Sequence, residues 1–470
     1  LGSSGSGKST LLGCLSGRLI PTVGRVECAG RTAVIHQDLR LVRQRSALQN
    51  VLHGTLGHRR SVVHFPAAEK RRAMALLQRV SLDDRMDQPV GRLSGGEQQR
   101  VAIARALMQN PAVLLADEPV ASLDEILAQE TMQLMSDLAR ERGLTMISVL
   151  HDCRLAERFA ERIFGMESGQ LVYNAKPNVA APSKPIEHCR ACLKINAARP
   201  NVGPCVKVEM PKWHRLTWYT ILAVVVVALY GGSIWGLGIS SQQLRGSGSG
   251  IAQFLVQLVP TSWQQVAGLS WGQMLWKLLE TLQMALIGTT LGVLIAWPLS
   301  ALAAKNVGPQ YLRRPMRFVL NVVRTVPSLL WALLFVAAVG LGAFSGVLAL
   351  TAYSLGYLTK FFYEAFEGVE PGPPDALGEM GANGPQRFMH AVWPAARPAV
   401  WSSSLFMLEY NVRAATVLGI VGAGGIGELI MYYFEYRDFP TIMAILIMLL
   451  IVVLVIDALS TWARARLVRA

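Results

Sequence analysis

The first ten residues, LGSSGSGKST, have the composition and spacing of a loop that binds nucleotide phosphates. Its glycines allow backbone N–H groups to close on phosphate oxygens, while its lysine and a hydroxyl serve the terminal phosphates and Mg²⁺. The candidate ligands are Gly2, Ser3, Ser4, Gly5, Ser6, Gly7, Lys8, Ser9 and Thr10, with Ser9 also a candidate ligand of Mg²⁺. By itself, the loop indicates a nucleoside triphosphate and leaves the reaction open.

A second glycine-rich segment precedes a predicted helix over residues 98–108. The N-terminus of a helix carries free N–H groups and favours anions, so this segment could contact a γ-phosphate. Its candidate residues are Ser94, Gly95, Gly96 and Glu97. We do not expect the two loops to reach the same nucleotide within one domain.

Two acidic residues follow a run of apolar residues. The unbroken run over 113–116 predicts a buried parallel strand, and Asp117 and Glu118 come directly after it. Asp117 could hold Mg²⁺ through water, and Glu118 could polarise the water that attacks the γ-phosphate. Paired acids at a strand end can also be plain solvated residues. Gln37 and His151 likewise end short β-branched or apolar runs, over 32–37 and 145–150.

With these motifs in this order, residues 1–175 resemble the ATPase domains of ABC importers. The resemblance implies an α/β P-loop NTPase fold in which Gln37 contacts Mg²⁺ and the attacking water and His151 contacts the γ-phosphate. It also implies that two copies pack head to tail. ATP would then lie between the phosphate loop of one copy and Ser94, Gly95, Gly96 and Glu97 of the other. Asp124 is a further candidate for nucleotide binding.

The chain starts at Leu1 with neither a Met nor a strand ahead of the phosphate loop. We therefore expect an N-terminally truncated ATPase domain, either in a fragment or in an inactive truncated fusion of neighbouring genes. The six cysteines are expected to be reduced thiols. Zinc at His188, Cys189, Cys192 and Cys205 is a weaker alternative, since a second close pair of ligands is missing from that stretch of sequence.

Composition divides the chain into two parts. A mean hydropathy of +0.34 with 16% charged residues is too apolar for a soluble protein. We predict an ATPase domain over 1–176, a proline-containing linker over 177–212 and an all-α polytopic membrane domain over 213–470. Six spans are predicted, over 216–239, 278–303, 319–342, 343–366, 400–422 and 440–463. Pro327 predicts a helix break near the start of the third span.

Positive charge follows the predicted membrane flanks. Lys305, Arg313, Arg314 and Arg317 lie between the second and third spans, and more arginines follow the last span. This distribution predicts that both chain ends are cytoplasmic, in a multi-pass protein of the inner membrane surrounded by lipid. The net charge of +14 is thereby explained, so nucleic acid is not an expected partner.

The segment between the fourth and fifth predicted spans has a recognisable spacing. Asp375-Ala376-Leu377 is followed four residues later by Gly381 and then by Trp393-Pro394. This resembles the EAA loop of type I ABC importer permeases, although Asp375, Leu377 and Trp393 depart from the usual residue types. The resemblance implies a short helix, a turn and a second helix that docks in a groove of the ATPase. An unrelated cytoplasmic loop could also show this spacing.

Residues 324–342 and 413–427 resemble the permeases of phosphonate and phosphite importers. The resemblance implies ATP-driven import of a small oxyanion, two copies per working unit and an extracytoplasmic substrate-binding protein. Arg324 and Arg413 would suit an oxyanion path, although Glu409 could neutralise Arg413 from four residues away. An exporting half-transporter is the alternative of similar architecture. The G-x-G-x-x-G pattern at 422–427 is not expected to bind a dinucleotide, because no strand precedes it.

Overall fold

The computed structural model describes residues 1–3, 5–28, 30–59, 61–62, 64–121, 123–176, 212–238, 241–258 and 270–469. The described residues divide into two compact units. Unit 1 comprises those of Leu1–Arg199, Ser300–Pro315 and Phe361–Val400, and unit 2 those of Pro200–Leu299, Met316–Lys360 and Trp401–Ala470. The predicted linker lies outside the described residues except for its last residue, and so do Ser4 and the three cysteines beyond residue 180. The predicted domain boundaries stay a prediction.

A parallel sheet forms the centre of unit 1. Its strands β1 (Thr32–Ile35), β2 (Val113–Asp117) and β3 (Thr145–Val149) lie in the order β1-β2-β3. Leu114, Leu115 and Ala116 of the central strand are at most 1% exposed, as expected for a parallel strand covered on both faces. The carboxyl ends of all three strands meet at one edge, which brings Gln37, Asp117 and His151 into the same region.

Helices surround this sheet. They are α1 (Lys8–Leu15), α2 (Ala47–Leu52), α3 (Ala67–Arg79), α4 (Gly95–Met108), α5 (Glu125–Arg142) and α6 (Cys153–Phe159), with 3₁₀ turns over His53–His58, Asp83–Arg85 and Val90–Arg92. The prediction that α4 begins at residue 98 is wrong. It begins three residues earlier, because Ser94 and Glu97 form a reciprocal capping box that satisfies free N–H groups of the first turn.

A hairpin supports the phosphate loop. Strands β4 (Ile163–Glu167) and β5 (Gln170–Ala175) are antiparallel. The Met166 N–H donates to the Leu1 carbonyl oxygen at 2.9 Å, and the Gly169 N–H donates to the Ser6 carbonyl oxygen at 3.1 Å. The loop is therefore fixed by backbone hydrogen bonds at both of its ends.

The rest of the chain is helical. The helices are α7 (Lys212–Gly236), α8 (Ser241–Leu258), α9 (Trp271–Ala303), α10 (Gln310–Thr325), α11 (Ser328–Val339), α12 (Ala343–Glu367), α13 (Gly372–Glu379), α14 (Gly384–Arg387), a π-helix (Phe388–Val392), α15 (Trp393–Ile420), α16 (Ile426–Glu435) and α17 (Phe439–Arg469). Helix α8 lies where the sequence predicted only a long loop between the first two spans. Its glycine- and glutamine-containing sequence is not apolar enough to have been predicted as a span.

In the described part of the chain, three helices are long and apolar enough to cross a membrane: Tyr219–Gly236, Trp271–Ala303 and Phe439–Leu467. A fourth crossing results if α10 and α11, which are bent by 88°, count as one. The third predicted span is broken at Pro327, as the sequence predicted, because proline cannot continue α10 and instead precedes α11. Helices α12 and α15 overlap the fourth and fifth predicted spans but are not among these apolar helices, so six crossings stay a prediction.

Candidate nucleotide site

Positive φ angles at glycines shape the phosphate loop. Gly5 and Gly7 have φ angles of 82° and 96°, which other residues rarely adopt. A side chain at Gly2 would overlap the carbonyl oxygen of Met166 in β4. The backbone path of the loop thus favours glycine at these three positions.

Lys8 folds back over this loop. Its Nζ donates to the carbonyl oxygens of Gly2 and Ser3 at 2.8 and 2.6 Å, and its side chain is almost fully buried. Burial lowers the pKa of Lys8, while the nearby carboxylates of Glu118 and Asp117 act in the opposite direction. The ammonium group thus lies inside the loop, where a phosphate oxygen could replace a carbonyl as its acceptor.

The candidate Mg²⁺ ligands are brought together. Ser9 Oγ donates to Asp117 Oδ1 at 3.5 Å, and Gln37 shares an open cleft of about 580 Å³ with Asp117. Hydroxyl, carboxylate and amide oxygens suit a hard cation such as Mg²⁺, which usually keeps several water or phosphate oxygens as further ligands. Oxygen ligands of these types favour Mg²⁺ over a transition metal.

Glu118 and His151 contact each other at the ends of neighbouring strands. Asp117 pairs with Val149 in the sheet, and His151 follows two residues later. His151 Nε2 forms an ion-pair contact with Glu118 Oε1. Glu118 has a φ of 49°, so the backbone turns sharply where the strand ends. The two residues predicted to act on the attacking water and the γ-phosphate are therefore neighbours.

The second glycine-rich segment is held rigidly. Glu97 Oε2 accepts hydrogen bonds from the backbone N–H and hydroxyl of Ser94 at 2.8 and 2.9 Å, and these bonds lower the pKa of Glu97. A side chain at Gly96 would crowd Leu127 of α5, whose first turn is capped by Asp124. Among the described residues, no hydrogen bond or ion pair joins this segment to the phosphate loop. The structure thus brings together the sheet-edge residues but not the two loops.

Two family models match the chain. The model "ABC transporter" matches residues 1–121, and the model "Binding-protein-dependent transport system inner membrane component" matches residues 288–470. The phosphonates import ATP-binding protein PhnC 2 of Synechococcus sp. is 41% identical over 203 residues, which are 39% of this chain and 76% of that protein. The chain belongs to the ABC transporter family. It is an ATP-hydrolysing transporter chain in which an ATPase domain and a permease domain are fused.

Other relatives match each half separately. The phosphite import ATP-binding protein PxtA of Stutzerimonas stutzeri is 43% identical over 195 residues, which cover 38% of this chain and 71% of that protein. A protein named for a phosphite transport system permease, HtxC of the same organism, is 37% identical over 257 residues, covering 54% of this chain and 86% of that protein. The chain therefore resembles ATPase and permease proteins of phosphonate and phosphite import.

The permease segment between α12 and α15 contacts the ATPase part of this ABC transporter within unit 1. Helix α13, a turn and α14 follow one another as the sequence predicted. Gly381, in the turn, has a φ of 88° and lies against Gly57, so close that a Cβ at Gly381 would be 3.0 Å from the Gly57 Cα. Leu377, Ala382 and Ala391 complete an apolar cluster with Val42 and Leu56 of the ATPase part.

Glu379 is a residue that sequence analysis missed. Its carboxylate is bound by His36 Nε2 at 2.7 Å and Arg40 Nη1 at 3.3 Å, with Arg18 at 3.9 Å. Burial raises the pKa of Glu379, but these cations outweigh burial and lower the pKa overall. The three partners line the cleft that contains Gln37. Beyond an acid within the EAA-like loop, no local pattern indicates this contact, because Arg40 lies 339 residues before Glu379 and His36 and Arg18 lie earlier still.

Proposed function

We propose that this chain is half of an importer that moves a phosphonate or phosphite across the cytoplasmic membrane by using ATP hydrolysis. The observation that carries the proposal is that the two halves independently match proteins named for the same import systems. A working unit would contain two copies of the chain together with an extracytoplasmic substrate-binding protein. The permease would lie in the inner membrane, with the ATPase on its cytoplasmic side.

In this proposal the sheet edge performs the hydrolysis. Ser9, Asp117 and Gln37 would hold Mg²⁺, which when bound neutralises charge on the β- and γ-phosphates. Lys8 would donate to the terminal phosphates from inside the loop. Glu118 would accept a hydrogen bond from the attacking water and polarise it, and its contact with His151 fixes the carboxylate in place.

The separation of the two glycine-rich segments supports the requirement for a second copy. Helix α4 begins directly after Ser94, with Gly95 and Gly96 in its first turn. Ser94 and Gly95 are exposed, and the capping box holds the N–H groups of this segment at the helix N-terminus. In a head-to-tail pair, the segment of one copy would contact the γ-phosphate bound to the other. Hydrolysis would then depend on association of the two ATPase domains.

Contacts of Glu379 supply a route between cargo and nucleotide. His36 lies directly before Gln37, and it binds a carboxylate carried by the permease segment. A displacement of α13 would therefore pull on the residue next to the proposed Mg²⁺ ligand. Coupling requires an interface with two discrete packings whose equilibrium depends on both the cargo and the nucleotide. The contact between Glu379 and His36 would provide such an interface.

The proposal predicts cargo-dependent ATP hydrolysis. The purified chain, placed in lipid discs, should hydrolyse ATP faster when a phosphonate-binding protein loaded with methylphosphonate or phosphite is added. The unloaded binding protein and the same protein mixed with sulfate are the controls. Equal hydrolysis rates in all of these mixtures would contradict import of a phosphorus oxyanion.

A further inference from the structure

Arg324 lies at a break in the membrane part of the chain. It belongs to the last turn of α10, two residues before the break at Val326–Pro327, after which α11 begins at an angle of 88°. Backbone groups without helical partners are tolerated at membrane depth only where protein or a water-filled path covers them. Transporters commonly place substrate sites beside such broken helices.

The ring of Tyr357 lies beside Arg324, with its centroid 5.9 Å from the guanidinium. Among the described residues, Arg324 makes no ion pair, whereas Lys277, Arg413 and Arg464 do. Gly356 permits this arrangement, since a Cβ there would lie 3.0 Å from the Arg324 Cα. In the described part of the chain, Arg324 is therefore a cation without a carboxylate partner.

A chain of hydroxyl groups continues from Tyr357 to α15. The rings of Tyr357 and Tyr353 are 4.8 Å apart, and Tyr353 donates its hydroxyl proton to the Tyr410 hydroxyl at 2.9 Å. Because Tyr410 accepts in that bond, its own proton stays available for another acceptor. Tyr410 packs in one cluster with Trp331 of α11, whose buried Nε1 has no hydrogen-bond partner in the described part of the chain.

A fully buried amide lies next to this chain. Asn411 donates to Thr289 Oγ1 at 2.8 Å and to Ser354 Oγ at 2.7 Å, and its Oδ1 has no partner among the described residues. Leaving a buried polar atom unpaired costs about 1–3 kcal/mol, so native structures rarely do so without a further partner. The interior between α9, α12 and α15 thus contains a polar cluster with one acceptor, Asn411 Oδ1, that the described residues leave unpaired.

Arg413 differs from Arg324 in having a carboxylate partner. Arg413 Nη1 binds Glu409 Oε1 at 3.0 Å, and the other Glu409 oxygen lies 3.6 Å from Arg464. Arg413 is therefore held by a carboxylate that it shares with Arg464. Although both arginines suited an oxyanion path by their type, Arg324 differs in having no carboxylate partner among the described residues.

We propose that Arg324, together with the hydroxyl groups of Tyr357, Tyr353 and Tyr410, forms a subsite of the permease that binds a tetrahedral oxyanion during transport. The planar guanidinium can donate two parallel hydrogen bonds to two oxygens of a phosphonate or phosphite. The Tyr410 hydroxyl, which accepts from Tyr353, can donate its own proton to the third oxygen. This inference rests on the proposed import of an oxyanion.

The test compares matched arginine variants in proteoliposomes that contain the full chain. Uptake of methylphosphonate, phosphite, phosphate and sulfate is measured against concentration, with the binding protein supplied on the outside. Arg324→Gln should raise the KM for the transported oxyanion about tenfold or more, as expected when a charge-assisted hydrogen-bond pair is lost. Arg324→Lys should restore part of the loss, whereas Arg413→Gln should stay within about threefold of the wild-type KM.

Three outcomes would overturn the subsite. They are an unchanged KM in Arg324→Gln, equal increases in both arginine variants, and a loss of maximal rate alone, which would indicate a structural role. If the wild-type chain carried sulfate but neither phosphorus oxyanion, the proposed function would fail, while the arginine comparison with sulfate would still decide the subsite. If it carried none of the four anions, both proposals would be wrong.

Discussion

Glu118 combines backbone strain with a charged contact. A non-glycine residue with a φ of 49° costs about 1–3 kcal/mol and persists only where its surroundings hold it. Here the sheet fixes Asp117 on one side, and His151 holds the carboxylate through an ion-pair contact. The strained turn directs Glu118 toward the edge of the sheet where Lys8 and Ser9 lie, and this is the position that a group acting on the γ-phosphate requires.

The first residue-scale prediction concerns this carboxylate. Glu118→Gln keeps the shape of the side chain and removes the base, so ATP hydrolysis should fall by about 10²-fold or more while ATP binding persists. Phosphate release and retention of labelled ATP would measure the two effects. Glu130→Gln is the matched control, since Glu130 is exposed on α5 and its nearest cation, Arg100, is 3.9 Å away. Unchanged hydrolysis in Glu118→Gln would remove Glu118 from the proposed mechanism.

Short-range spacing made much of the nucleotide site predictable. Lys8 and Ser9 lie within one loop, and Asp117 and Glu118 end one apolar strand, so a few consecutive residues indicate each role. The contact between Glu379 and His36 was not predictable in this way, because it joins residues far apart in the chain. No sequence spacing encodes such a pair; it arises only when the permease segment packs on the ATPase part of unit 1.

At the scale of elements, the α13–α14 segment depends on the close approach of two glycines. Gly57 and Gly381 bring the turn of this segment into backbone contact with the 3₁₀ turn after α2. Hydrogen bonds then continue along the segment, from Gln386 Nε2 to the Arg59 carbonyl oxygen at 2.9 Å and from His390 Nε2 to the Val62 carbonyl oxygen at 2.6 Å. The interface is thus built on backbone groups, which leaves little room for an added side chain.

Gly381→Ala tests this interface. The added methyl group meets the Gly57 Cα at 3.0 Å, and alanine is also strained at a φ of 88°, so we expect a loss of about 1–3 kcal/mol at the contact. Stimulation of ATP hydrolysis by the loaded binding protein should decrease strongly. Gly384→Ala is the control, because no atom lies within 4 Å of a Cβ there. Equal stimulation in the two variants would show that the turn does not carry coupling.

Elements were predictable where composition and periodicity agreed. The apolar runs over 113–116 and 343–366 predicted β2 and α12 to within one residue of the observed ends. Pro327 predicted the break in the third span, but not the size of the bend, because apolar residues on both sides of Pro327 form one hydropathic stretch. Hydropathy records which residues avoid water, whereas the 88° angle between α10 and α11 depends on the missing N–H and fixed φ of a single proline.

At the scale of the whole molecule, two histidines from distant parts of the sequence meet inside unit 1. The ring centroids of His53 and His390 are 5.0 Å apart, and the described residues offer no hydrogen-bond partner to either ring nitrogen of His53. Burial lowers the pKa of His53 well below its ordinary value of 6.5, and His390, Arg105 and Arg45 lower it further. Burial also lowers the pKa of His390, against the opposing hydrogen bond to Val62. Both rings are therefore held neutral in the folded chain.

These directions predict that the folded chain loses stability in acid. Near pH 6.5 the unfolded chain takes up protons on both histidines, while the folded chain takes them up only at lower pH. The unfolded state thus binds more protons, so the stabilisation is fully present above about pH 6.5 and falls below it by up to ~1.4 kcal/mol per pH unit for each histidine. Thermal unfolding of the full chain between pH 8 and 5.5 would measure the slope.

His53→Phe should flatten this pH dependence, because it removes one titrating ring and keeps an aromatic side chain against His390. Each variant is compared with its own stability at pH 8, so a constant cost of fitting the larger ring does not enter the slope. His64→Gln, at an exposed position, should keep the wild-type slope. If His53→Phe lost stability in acid as steeply as the wild type, the titrating groups would lie elsewhere. The supporting result is a flattened slope in His53→Phe together with stimulation of ATP hydrolysis by the binding protein that persists at pH 6. This result would show that the acid sensitivity of the transporter depends on the contact between His53 in its ATPase part and His390 in its permease segment.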